Sequence, residues 1–251
     1  MHTGHRERMR SKLLEHGPRI FDTYELLEML LYYAVPHRNT NPTAKRLLSE
    51  LGSLDAVLSA EVTDLLKVGG VGDRTARLIA AVDGLHDALF LDKFSDDTVF
   101  DDYDKTGAFL AEKLAETNEK RIVLLLLDNS MRMLDLVTMY ENVDYGAVAV
   151  KPEAFINAAK LAGASVVITA HNHPYGPLGE SISDRETNKL IDQAFATAGI
   201  AVLEHYVTVG KRYVGTDTAC SNTLHTGTKI DDFKQSKERS LAADRLAEVT
   251  L

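Results

Sequence analysis

Apolar residues in the first ninety positions recur at helical spacing, and the stretches between them end on helix-breaking residues. Tyr24 to Tyr33 carries a broad apolar stripe that stops before Pro36. Asn41-Pro42 reads as a cap followed by proline at the first helical position, opening a helix that runs through Lys45 to Leu51 and ends at Gly52. Ser53 to Leu58 and Thr63 to Val68 read as short helices, and the helical pattern resumes beyond Gly70-Val71-Gly72. From about residue 104 the pattern changes. Lys105 to Ala115 is helical, but Arg121 to Leu127 is an almost continuous apolar run, as expected of a strand buried on both faces. The turn Asp128-Asn129-Ser130 precedes an antiparallel partner over Met133 to Tyr140, and Tyr145 to Val150 reads as a third strand. A helix from Pro152 to Gly163 follows, with Phe155, Ile156, Ala159 and Leu161 as its apolar positions. Ser165 to Ala170 has strand composition, and Asp184 to Ala198 reads as a helix closed by Gly199. Ile200 to Val209 and Arg212 to Gly215 form a hairpin about Gly210-Lys211.

These patterns divide the chain into an all-α segment over 1–90, an acidic linker over 91–103, an α/β (α+β) domain over 104–222 and a tail over 223–251. The linker carries Asp92, Asp96, Asp97, Asp101 and Asp102, and the tail shows one helical stretch, Ser240 to Val249. Composition narrows the class. A net charge of -9 with 45% hydrophobic and 26% charged residues is ordinary for a soluble globular protein. Met1-His2-Thr3-Gly4-His5-Arg6 has no apolar signal-peptide core, and runs such as Ile122 to Leu127 are too short to span a bilayer, so a cytoplasmic protein with no membrane partner is expected. Cys220 is the only cysteine, which excludes intramolecular disulfides and thiolate zinc cages.

The chemistry concentrates in Ala170-His171-Asn172-His173-Pro174-Tyr175-Gly176-Pro177-Leu178-Gly179-Glu180-Ser181-Ile182-Ser183-Asp184. Side chains alternate across a strand, so two histidines separated by one residue point the same way and can reach one ion. Asp184 follows a Gly- and Pro-rich loop and falls in the first turn of the next helix. Two His and one carboxylate, with a fourth position for water, form the ligand set of a catalytic rather than a structural zinc site. An isolated His-x-His pair is more often only hydrogen-bonded; the offsets of Ser181 and Asp184 are what favour a metal.

With those offsets, His171-x-His173, seven residues, Ser181, two residues, Asp184 resembles the JAMM motif of MPN-domain metalloproteases, and His173-Pro174-x-Gly176 resembles the bacterial RadC family more specifically. The resemblance implies an MPN-type sandwich over 104–222 and one Zn2+ held by His171, His173 and Asp184. It implies a metal-activated water that hydrolyses an amide, peptide or isopeptide bond of a peptide or protein, and Ser181 as donor to the oxyanion. Ser183-Asp184-Arg185-Glu186 reads as a capping box, which assigns Ser183 to helix capping.

The family also uses a glutamate on an earlier strand as general base. Aligned without gaps through the helix after Pro152, that position falls on Thr138, which cannot serve. Glu141 and Asp135 are the nearest carboxylates; they share parity with each other and not with Thr138. A bulge between Thr138 and Glu141 would bring Glu141 to the water, which makes it the candidate base. Glu180 stands where the family pattern has proline and offers another carboxylate.

In the first segment, Val68 to Ile79 resembles a helix-hairpin-helix motif with Gly70-Val71-Gly72 as its hairpin, and the segment as a whole resembles the N-terminal domain of RadC proteins. Gly70, Gly72 and Arg74 would then face a DNA phosphate, since glycines admit backbone amides and a helix N-terminus favours an anion. Residues 1–90 hold 11 Lys/Arg against 12 Asp/Glu, so only weak DNA binding is expected, and a hairpin used for packing is the plainer reading. Three classes of function follow: a zinc-dependent hydrolase, a metal-binding pseudoenzyme that lacks its base, and a DNA-associated protein acting through the first segment.

Overall fold

A computed structural model describes residues 3–94, 98–115, 117, 119–140, 152–216 and 228–249. The chain forms two compact units, Met1–Lys93 and Phe94–Leu251. Among the described residues no helix is long and apolar enough to cross a membrane.

The first unit is helical: α1 Thr3–His16, α2 Thr23–Ala34, α3 Asn41–Leu51, α4 Leu54–Leu58, α5 Val62–Leu65 and α6 Asp73–Leu91. Asp22 opens α2 with a capping box closed by Glu25, and Thr40, one residue before the expected Asn41, occupies the position ahead of α3. Leu27, Leu31, Leu47, Val57, Leu65 and Ile79 supply the shared core. A buried carboxylate ties three of the helices together. Glu28, 1% exposed, accepts from His5 Nε2 at 3.0 Å, from Tyr32 Oη at 2.9 Å and from Asn41 Nδ2 at 2.7 Å. A charge this deep is tolerated only because donors surround it.

The second unit contains α7 Tyr103–Leu114, β1 Arg121–Leu127, β2 Met133–Tyr140, α8 Pro152–Ala162, β3 Val166–Asn172, α9 Ile182–Ala198, β4 Ala201–Val209, β5 Arg212–Gly215 and α10 Thr228–Val249. Its sheet has the order β2-β1-β3-β4-β5 among the described residues. Among the described strands only β3 and β4 run parallel, which is the pairing that needs a crossover helix, here α9. The expected strand over Tyr145 to Val150 lies outside the described residues.

Directly paired residues share a face of a sheet, so the register sorts the side chains. Ile122, Leu124 and Leu126 of β1 pack with Phe155 and Ala159 of α8 and with Ile191 and Phe195 of α9. Leu161, one of the apolar positions of α8, is 92% exposed: it sits two residues beyond Ala159, off the i, i+4 line that buries Phe155 and Ala159. The other face is covered by α7 and α10. Tyr206 of β4 donates to the Tyr103 carbonyl at 2.8 Å, and Tyr103 lies beside Phe233 of α10. The tail helix thus begins twelve residues before the expected Ser240 and buries Ile230 and Phe233.

Gly107 of α7 meets Tyr213 of β5 so closely that an added Cβ would stand 2.3 Å from its ring. Gly107→Ala should therefore destabilise the protein by about 1–2 kcal/mol, the gain in helix propensity offsetting only part of the overpacking cost. Urea unfolding followed by circular dichroism checks this. A stabilised variant would show that the ring moves aside at no cost.

Candidate metal centre

Strand β3 extends through His171 to Asn172, two residues further than its apolar run suggests, and Asn172 is responsible for part of that extension. Its Oδ1 accepts from the Arg121 amide at 2.7 Å and its Nδ2 donates to the Glu119 carbonyl at 2.8 Å, stitching the end of β3 to the start of β1. His171 pairs with Ile122, so its ring lies on the face covered by α9. His173 follows one residue past the strand, and its amide donates to Thr208 of β4 at 2.8 Å.

The loop then brings in α9. This helix starts at Ile182 with Ser181 as its N-cap, rather than at Asp184 with Ser183, because Ser181 and Asp184 are the pair that close a capping box. Asp184 N donates to Ser181 Oγ at 3.2 Å, and Ser181 N donates to Asp184 Oδ2 at 2.8 Å. The Ser181 hydroxyl oxygen accepts in this box. One residue thus begins the helix and orients the carboxylate. Further along α9, Asp192 Oδ1 accepts from Nε2 of fully buried His205 on β4 at 2.8 Å, and His205 Nδ1 bonds the Thr169 hydroxyl on β3. This clamp sets α9 against the strand that carries His171.

His171, His173 and Asp184 converge. Their ligand atoms lie within 4.8 Å of one another, and among the described residues they are the group suited to hold a metal ion. His171 Nε2 stands 3.2 Å from His173 Nε2 and 3.4 Å from Asp184 Oδ1, while His173 Nε2 stands 3.0 Å from Asp184 Oδ2. The Pro177 carbonyl, 3.0 Å from His173 Nδ1, can only accept, so Nδ1 donates there, while Nε2 faces Asp184. Two imidazole nitrogens and a carboxylate oxygen gathered this closely form a donor set that fits a metal. The set of two imidazoles and a carboxylate suits zinc chemically. Burial alone would push the Asp184 carboxyl up, but hydrogen bonds from His171 and Ser181 outweigh it and hold the group well below the usual carboxylate range. It is ionised and ready as a ligand at neutral pH.

The other expected participants fall in different places. Glu180 turns toward α9, accepting from Asn188 Nδ2 at 2.8 Å and from Arg185 Nε at 3.2 Å. Thr138 pairs with Val123, which pairs with Ala170, so it occupies the face opposite His171. Val137 and Asp135 lie on the His171 face by the same register. Glu141 itself lies outside the described residues. Gly70, Gly72 and Arg74 belong to the first unit. Gly70 has φ 94 and lies against Thr43, Gly72 precedes α6 in extended conformation, and Arg74 is exposed. Neighbouring Arg77 is paired with Asp73 at 3.0 Å.

Sequence reasoning missed Lys120. Its ammonium lies 3.4 Å from Asp184 Oδ1, in a stretch that reads only as the polar lead into a strand. The informative signal was Asn172, a polar residue between two candidate ligands whose side chain could be expected to bond a neighbouring chain segment.

Comparison with known proteins agrees with this architecture. Residues 100–219 match the family model described as RadC-like JAB domain, and residues 2–77 match that described as UPF0758 N-terminal. A UPF0758 protein of Alteromonas mediterranea is 31% identical over 209 residues, covering 83% of this chain and 92% of its own length. One from Fusobacterium nucleatum is 27% identical over 220 residues, covering 84% and 93%, and one from Aliivibrio fischeri is 30% identical over 200 residues, covering 80% and 89%. A helical first unit, a mixed sheet flanked by helices, and matches along both units lead to one conclusion: the chain belongs to the UPF0758 (RadC) family.

Proposed function

We propose that this protein is a cytoplasmic zinc-dependent hydrolase that cleaves an amide, peptide or isopeptide bond in a peptide or protein. The observation that carries the reading is the convergence of His171 Nε2, His173 Nε2 and the ionised Asp184 carboxylate on one point beside the Ser181 hydroxyl's own helix cap. Zinc, when bound, would lower the pKa of a water and polarise the scissile carbonyl. Pro177 keeps His173 in the tautomer that ligates, and Ser181 keeps Asp184 turned inward. The Ser181 O–H is the proposed donor to the oxyanion that forms on the carbonyl. Glu141 is the proposed base that takes the water's proton and returns it to the leaving nitrogen. What supports Glu141 is its place in the sequence, immediately after β2, a strand whose Val137 lies on the His171 face of the sheet.

The test is turnover of peptide and isopeptide substrates by the full chain. Chelation should abolish it, zinc should restore it, and Glu141→Gln should lower it by about a hundredfold or more while zinc content is unchanged. A protein that carries zinc and turns over nothing would instead be the metal-binding pseudoenzyme, the reading favoured by Thr138 at the family's glutamate position.

A further inference from the structure

Asp184 is 4% exposed, and a carboxylate that deep needs a partner. Lys120 supplies one: its side chain, 29% exposed, reaches Asp184 Oδ1 at 3.4 Å. The backbone on both sides of Lys120 is held by a single side chain. Asn172, 3% exposed, accepts from the Arg121 amide and donates to the Glu119 carbonyl. The residue between the two histidine ligands therefore places a cation on the aspartate ligand. We infer that Lys120 is a rival of the metal built into the site, neutralising Asp184 when no metal is bound and lowering the affinity of His171, His173 and Asp184 for a divalent cation.

The physical reason is charge. An ammonium and a divalent cation that share one carboxylate repel each other, and at low solvent exposure that repulsion is only partly screened. That repulsion is absent from the metal-free state, which the ammonium therefore favours. Metal occupancy is then set by a residue remote in sequence from the ligands. This inference rests on the metal reading of the triad, and the test separates the two.

Zinc affinity is measured for the full-length wild type, Lys120→Met and Lys120→Arg by competition with a chromophoric chelator, and the chelator-treated proteins are melted. Lys120→Met should bind zinc about tenfold more tightly or better, on the scale of one charge pair near a protein surface. Lys120→Arg, which keeps the charge, should stay close to wild type. Metal-free Lys120→Met should melt below metal-free wild type, and zinc should narrow or reverse that gap. Lys120→Gln repeats the measurement should the methionine variant aggregate. Zinc binding by the neutral variant and not by wild type would also support the inference. Equal or weaker zinc binding by the neutral variants, with wild type binding normally, would overturn the role of Lys120 and leave the metal site standing. Zinc binding by none of the proteins would overturn both.

Discussion

Zinc should be close to stoichiometric in protein purified without chelator and absent from His173→Ala. His173 is the ligand whose loss is most informative, because Pro177 holds its ring from outside and Asp184 faces it from inside. Removing the ring deletes one donor from a set of three, and two donors leave more of the coordination to water. Changes behind the ligands already cost metal sites about ten- to a hundredfold in affinity, so loss of a ligand should cost more. His173 is partly exposed and follows the strand rather than filling the core, so the variant should keep its fold and its circular dichroism spectrum. Elemental analysis of both proteins decides the matter. Zinc retained in the variant would place the metal elsewhere, and no zinc in wild type after reconstitution would remove the basis of the hydrolase reading.

Lys237→Met should destabilise the second unit by about 3–5 kcal/mol at neutral pH, the range measured when one partner of a buried ion pair is removed. Glu204 on β4 is 1% exposed and Lys237 of α10 pairs with its Oε2. Without the ammonium, α10 would be packed over an uncompensated carboxylate. Burial raises the Glu204 pKa above its ordinary value near 4.5, with Lys237 opposing the shift, and the substitution should raise it further. The sign follows from linkage. An acid with a raised folded-state pKa binds more protons folded than unfolded, so stability falls as pH rises from about 4.5 through the folded pKa. The deficit of Lys237→Met should accordingly be smaller near pH 5 than near pH 8, because Glu204 takes up a proton. Adding Glu204→Gln should recover much of the loss. Urea unfolding at the two pH values measures both effects, and a single variant as stable as wild type at high pH would show that α10 does not depend on the pair.

The site was legible to the extent that it is local. His171, His173, Ser181 and Asp184 lie on one strand–loop–helix connection, where strand alternation and a helix start dictate which side chains converge. Even there a local rule misassigned one residue: Ser183 and Ser181 both precede plausible helix starts, and only the bonds between Ser181 and Asp184 distinguish them. The helical first unit and the buried strand β1 were legible because periodicity and an unbroken apolar run are strong signals.

Residue types and spacing thus made the fold class and the His171, His173 and Asp184 cluster legible, and the resemblance they carry pointed to the family, because each is written in contiguous segments or fixed offsets. Tertiary structure alone decided what surrounds the triad. Pairing of β1 with β2 put Thr138 on the face away from His171, and pairing of β1 with β3 let Asn172 set Lys120 against Asp184. Docking of α10 onto α7 and the sheet buried Glu204 beneath Lys237. Each of these depends on strand register or helix docking between segments far apart in the chain, and a one-residue slip in register would turn every such side chain to the other face.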